Sequence, residues 1–286
     1  MLLAAKGLFA KSLYEIGLTH HDVASIRAVL AVPGFALLAW MYRGKGGATP
    51  LSSIRPRHWL LAAFAGLLCY YLGALANFYA LTIIPANVER PLLFAYPVFV
   101  VLINTALTRQ APNSRVVFAL ILTSIGVVLV TGALNRSLSA AEWSGMAWVM
   151  FCSLTIALYF LLSGYLTQRL GSGLFTLVAM TSAAAGFLIH YQLIQGWLSV
   201  DLAPDAWWIL IGLVIFSTVL PLFLVAEGVR RVGASQGALI STLGPPATAL
   251  MAFQLNGETL TNAQILGIVV VVMGVLALES GRIRRA

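Results

Sequence analysis

FAYP, Phe94 through Pro97, lies in the middle of one apolar run, and LGPP, Leu243 through Pro246, lies in the middle of another 149 residues further on. Sliding the chain on itself by 149 residues lays Pro97 on Pro246, Trp59 on Trp208 and Asn113 on Asn262, and the apolar runs and polar gaps fall into step. Each half then holds five runs. If each run crosses a membrane, an odd number forces the second half to lie upside down relative to the first. Inverted repeats of this kind are built into carriers, whose substrate sits near the bilayer midplane beside helices interrupted by Pro or Gly. A single proline needs no such reading, because prolines are commoner in membrane helices than in soluble ones. Pro97 and the Gly244, Pro245 and Pro246 run at matched midpoints ask for a shared cause.

The composition requires the membrane. Of 286 residues, 60% are hydrophobic and 9% charged, with a mean hydropathy of +0.93. A soluble domain is about a quarter charged, so a water-soluble globule, a disordered chain and a fibre are excluded. Ten crossings of about 20 residues use roughly 200 residues, which leaves connections and no soluble domain. The runs lie near 1–17, 23–42, 58–81, 85–108, 115–132, 143–168, 174–197, 206–228, 232–256 and 263–280. They are too long and continuous for barrel strands, which alternate over about ten residues. The expectation is an all-α membrane protein of ten transmembrane helices in two inverted five-helix repeats, residues 1–135 and 143–281. The first run, interrupted by Lys6 and Lys11 and lacking a small-residue cleavage site at signal-peptide distance, reads as a span.

Lys and Arg in the gaps set the direction. Arg43, Lys45, Arg55, Arg57, Arg109, Arg115, Arg169, Arg230, Arg231, Arg282, Arg284 and Arg285 fall on one side and only Arg136 on the other. The positive-inside rule makes the richer side cytoplasmic and places both termini there. Tryptophans, which prefer the interface, agree: Trp40 and Trp59 fall at inner ends, Trp143, Trp197, Trp207 and Trp208 at outer ends. The net charge of +8 is therefore topological, and no nucleic acid is expected. Cys69 and Cys152 lie inside apolar runs and imply neither a disulfide scaffold nor a metal site.

The stretches ANFYALTIIPANVERPLLFAYPVFVVL, from Ala76 to Leu102, and GPPATALMAFQLNGETLTNAQILGIVVVVMGVLAL, from Gly244 to Leu278, carry a family resemblance. An aromatic and small-residue helix end, a short turn, a span with a central proline, a Glu-containing turn and a Gly-containing last span resemble the drug/metabolite transporter superfamily, in its EamA-type ten-span branch. The resemblance covers nearly the whole chain. It implies a two-repeat carrier of amino acids, nucleotide-related metabolites, toxic cations or other small organic solutes, often moved outward, and its aromatic amino acid exporter subgroup is compatible with the many aromatics here. Two positions depart from the pattern. Arg109 stands where the first half usually has Glu, although Glu258 keeps it in the second, and the first span lacks the aromatic-glycine opening.

Ionisable residues inside a bilayer are costly and face a cavity or one another. Glu15, Arg27, Glu89 and Arg90 count to one outer depth on spans 1, 2 and 4. They would form an outer gate, or snorkel to the headgroups. Lys11, near mid-membrane, would attract a substrate carboxylate or pair with Glu15. Lys6, Glu227 and Glu279 fall at the inner third. The expected substrate cavity is lined by Lys11, Phe78, Tyr79, Phe94, Tyr96, Pro97, Tyr159, Phe223 and Pro246, with Tyr71 a further aromatic inside a span. Buried tyrosine hydroxyls need partners, so Tyr79, Tyr96 and Tyr159 should face the bundle interior. His190 is the one intramembrane histidine and titrates near neutrality, which would suit a proton role.

No HExxH, GxSxG, Gly-rich phosphate loop or intramembrane Asp pair appears, so an enzyme is not expected and no cofactor or metal is implied; His20, His21 and Asp22 read as a solvated turn. A channel would not need the repeat. The expectation is a secondary-type, alternating-access carrier in a bacterial inner membrane, with the bilayer and a small amphipathic metabolite as its partners and a monomer sufficient. Amino acids or related solutes lead. Organic cations and nucleotide-related metabolites are the alternative, and a membrane-embedded enzyme the alternative of another class.

Overall fold

Inside hydrocarbon every backbone N–H and C=O must be bonded within the protein, which leaves helices as the economical solution for runs of this length. A computed structural model describes Leu13, Leu18 and residues 20–42, 54–84, 89, 92–131, 140–196, 204–244, 246 and 261–283, and among these residues there are helices and no strand. The helices are α1 (His20–Met41), α2 (Pro56–Gly66), α3 (Ala74–Ile83), α4 (Tyr96–Thr108), α5 (Ser114–Thr131), α6 (Ala140–Gln195), α7 (Pro204–Val214), α8 (Leu220–Val232), α9 (Ala234–Ser241) and α10 (Asn262–Ile283). Among the described residues four stretches are long and apolar enough to cross a bilayer: Asp22–Met41, Pro56–Ala80, Trp143–Ile194 and Ala206–Val232. Tyr96–Thr108, Ser114–Leu129 and Asn262–Gly274 are shorter apolar helices. Most of the expected first span, the opening of the fourth and the second half of the ninth lie outside the described residues.

Local chemistry sets the ends. Pro56 opens α2, where its missing N–H costs nothing. Asn113 Oδ1 accepts the Arg115 N–H ahead of α5, an N-cap. At α10 the Gln264 N–H donates to Thr261 Oγ1 at 3.3 Å while the Thr261 N–H donates to Gln264 Oε1 at 2.9 Å, a reciprocal capping box. The expected sixth and seventh spans form α6, interrupted at Gly171, whose φ of 77° belongs to the left-handed region that glycine enters freely.

Two helices widen into π turns, Leu67–Gly73 between α2 and α3 and Ile215–Val219 between α7 and α8. The 149-residue shift lays the second onto residues 66–70, so the two overlap. π-bulges are rare and concentrate at functional sites.

The chain forms two compact units. One comprises Met1–Tyr71 with Leu162–Arg231, the other Leu72–Leu161 with Val232–Ala286. Each draws helices from both sequence halves. In the first, α1 packs on α7 through Val23, Ile26, Ala206, Leu210 and Leu213. In the second, α10 lies along α5, and a Cβ at Gly126 would come within 2.8 Å of the Val271 backbone nitrogen. Such close approach through small residues is how helices associate where lipid is as apolar as leucine.

Candidate functional site

The second unit contains a polar and aromatic cluster built around the interruption of the fourth span. Proline has no N–H, so Pro97 cannot bond the carbonyl four residues back, that of Leu93. The helix breaks into a turn at Phe94 and Ala95, where the Ala95 N–H reaches back three residues to Leu92 O, and α4 restarts at Tyr96 with Pro97 in its first turn. The orphaned Leu93 carbonyl accepts Ser153 Oγ from α6 at 3.1 Å. One proline therefore explains the break, and one serine from another helix satisfies it. A matching turn at Thr242 and Leu243 follows α9, with three-residue bonds to Leu239 O and Ile240 O, directly before Gly244.

Tyr96, 6% exposed, donates its hydroxyl to Ala238 O of α9 at 3.3 Å. Its ring stacks on Phe160 at 5.3 Å and meets Phe94 at 5.9 Å. A Cβ at Gly244 would lie 3.7 Å from the Phe94 ring. Pro97, Tyr159 and Pro246 are buried in the same unit, and Tyr159 sets its edge against Phe160. Phe78 is half-buried on α3.

Tyr79 lies on the exposed side of α3. Its side chain is 55% exposed and its ring meets Trp148 edge-on at 5.5 Å. At 3.6 residues per turn, the inward face of α3 is taken by Ala76, Asn77 and Ala80, and two residues on from Asn77 the helix points Tyr79 away. Phe223 lies in the first unit, buried against Tyr42 at 4.7 Å. Lys11, Glu15 and Arg90 lie outside the described residues. Arg27 is half-buried in the first unit and Glu89 belongs to the second.

Glu89 is 5% exposed, and Asn77 Nδ2 donates to its Oε1 at 2.7 Å. The Cys152 thiol of α6 is within electrostatic reach of it. Among the described residues no Lys or Arg forms an ion pair with Glu89. A second buried glutamate among the described residues, Glu227 in α8, is 7% exposed. It accepts Arg230 Nε at 2.8 Å, an Arg230 terminal nitrogen at 2.7 Å, Arg231 Nε at 2.6 Å and Ser172 Oγ at 2.5 Å. Gln168 also donates to the Arg230 carbonyl, so the turn inside α6 is fastened to the end of α8.

Further polar contacts lie in the first unit. Tyr71, in the first π turn, is 3.2 Å from His190 Nδ1, and the Tyr191 hydroxyl donates to Asp22 Oδ1 at 2.6 Å. Asn77, Ser153, Phe160, Ser172 and Tyr191 were absent from the sequence-derived site. Only Ser153 had a legible signal, since a mid-span proline requires a donor for the carbonyl four residues before it.

The model of the EamA-like transporter family matches residues 1–132 and again residues 143–279. The chain belongs to this family. A transporter of Bacillus subtilis strain 168, called YcbK and uncharacterized, is 30% identical over 269 residues, covering 92% of this chain and 85% of that one. The uncharacterized transporter sll1319 of Synechocystis is 26% identical over 237 residues, 79% of this chain and 68% of its own. A solved crystal structure at 16% identity superposes with a TM-score of 0.76 over 97% of this chain and 92% of that chain, which establishes a shared fold. This member of the EamA-like family is a membrane transporter, and the family points away from an enzyme.

Proposed function

We propose that the chain is an alternating-access carrier that exports a small amphipathic metabolite, an amino acid or a close relative, across a bacterial inner membrane, with both termini cytoplasmic. The observation that carries this reading is the pair of helix interruptions, at Phe94–Ala95 and Thr242–Leu243, lying at matched positions under the 149-residue shift to within one residue. The overlapping π turns support the same inverted repeat. Broken helices in corresponding positions of two halves mark the substrate site of carriers. The aromatics at the first break, Phe94, Tyr96 and Phe160, provide the apolar contact area expected of a small-molecule site. An aromatic substrate, as in the aromatic amino acid exporter subgroup, fits them.

Counterflow in proteoliposomes with labelled amino acids, nucleosides and organic cations tests the class. Uptake of labelled amino acid against internal unlabelled amino acid is expected, reduced by Tyr96→Ala without loss of insertion. Exchange of nucleosides alone would overturn the reading, and a chemically altered product in sealed vesicles would favour an enzyme. Single cysteines at Gly46 and Ser199 should label from opposite sides. Labelling of both from outside would remove the inverted repeat.

A further inference from the structure

We infer that Glu89 and Asn77 form the anionic pole of the substrate site and receive the ammonium group of an amine-bearing substrate. This rests on the carrier reading and adds the substrate's charge to it. A carboxylate withdrawn from water needs a counter-charge or a full set of donors, and inside a membrane the shortfall costs several kcal/mol. Glu227 meets that requirement with two arginines and a serine. Glu89, no more exposed, has one neutral amide among the described residues.

The hydrogen bond leaves acceptors that suit a donor-rich ligand. A carboxylate only accepts, so Asn77 must present its NH2 to Glu89 Oε1. That leaves Glu89 Oε2 and Asn77 Oδ1 as acceptors, and an ammonium carries up to three N–H donors. The 149-residue shift supplies an independent argument. It lays Asn77 on Ala226 and Glu89 on Ala238, both fully buried. A polar pair required by the fold would recur in both halves. This one is confined to the half whose broken span carries the aromatics.

The aromatics are on the same side of α6. Cys152 lies near Glu89 and Ser153 bonds Leu93 O. Tyr159 and Phe160 follow seven residues later on the same helix face, about two turns and roughly 10 Å along. An anionic end and aromatic rings thus lie along one face of α6, matching a substrate with an ammonium at one end and an apolar body at the other.

Binding to the purified full-length protein in nanodiscs, by calorimetry and thermal shift, decides it. Phenethylamine has the ammonium and no carboxylate, phenylalanine has both, and 3-phenylpropionate has only the carboxylate. Phenethylamine or phenylalanine should bind and 3-phenylpropionate should not, and which amine binds more tightly separates an organic cation from an amino acid as the source. Glu89→Gln should weaken amine binding about ten- to a hundredfold, the worth of a charge-assisted hydrogen bond, whereas Glu89→Asp, which keeps the carboxylate, should retain most of it. Three results would overturn the inference: equal binding of 3-phenylpropionate, unchanged amine affinity in a folded Glu89→Gln protein, or no amine binding to the wild type. Stabilisation by sodium over choline that disappears in Glu89→Gln would also overturn it, in favour of an inorganic cation. Amine binding that depends on Glu89, without counterflow, would leave the pole standing and remove the carrier reading.

Discussion

Glu227 and Glu89 are nearly equally buried, yet their surroundings differ. In the first unit, Glu227 is saturated by its own helix and by the turn inside α6, with Arg230 and Arg231 one turn on and Ser172 from 55 residues away. In the second unit, Glu89 meets a single amide among the described residues. A carboxylate whose every acceptor is used can only hold structure. One whose donors are incomplete can exchange partners, and exchange is what a transport site requires. Burial by itself therefore does not distinguish a fastening from a binding group; the donor count does.

The largest effect should come from breaking the closed cluster. Glu227→Gln leaves the half-buried Arg230 without its counter-charge, and losing such a multiply hydrogen-bonded charge costs about 2–3 kcal/mol. A fall in melting temperature in detergent checks this, and an unchanged value would make Glu227 no more structural than Glu89. Next comes the opposite expectation for Glu89→Gln. Removing a charge with one neutral partner should leave melting unchanged or raise it, and a loss as large as that of Glu227→Gln would erase the contrast. Ser153→Ala strands the Leu93 carbonyl that Pro97 already deprives of its helical bond, at a cost of about 1–2 kcal/mol. If melting does not move, the serine is not what holds the break. Ser172→Ala should cost about 1 kcal/mol, because the two arginines remain on Glu227. Smallest of all, Tyr79→Ala removes an exposed ring and should alter stability by less than about 0.5 kcal/mol and leave substrate affinity unchanged. A large affinity loss would return Tyr79 to the site.

The helix breaks were legible because their cause is local. Pro97 lacks an N–H whatever surrounds it, and the turn at Phe94 and Ala95 follows. Tyr96 was legible as an interior tyrosine because a buried hydroxyl needs an acceptor, which Ala238 O supplies. For Tyr79 the rule says what the hydroxyl needs and not which way the helix turns it. Asn77 was missed beside it, since a lone asparagine in an apolar run gives no sign of its partner until the fold brings Glu89 to it.

By itself the sequence determined that this protein lives in a membrane, that its spans are helical and that two of them break at prolines, because hydropathy, backbone satisfaction and the missing proline N–H act on a residue and its immediate neighbours. Only the tertiary structure decided which residues complete those local demands. Ser153 serves Leu93 across 60 residues and Ser172 serves Glu227 across 55, while Asn77 serves Glu89. Those pairings depend on how helices rotate and pack, and van der Waals fit through residues such as Gly126 fixes rotation in a solvent where hydrophobicity no longer tells inside from outside.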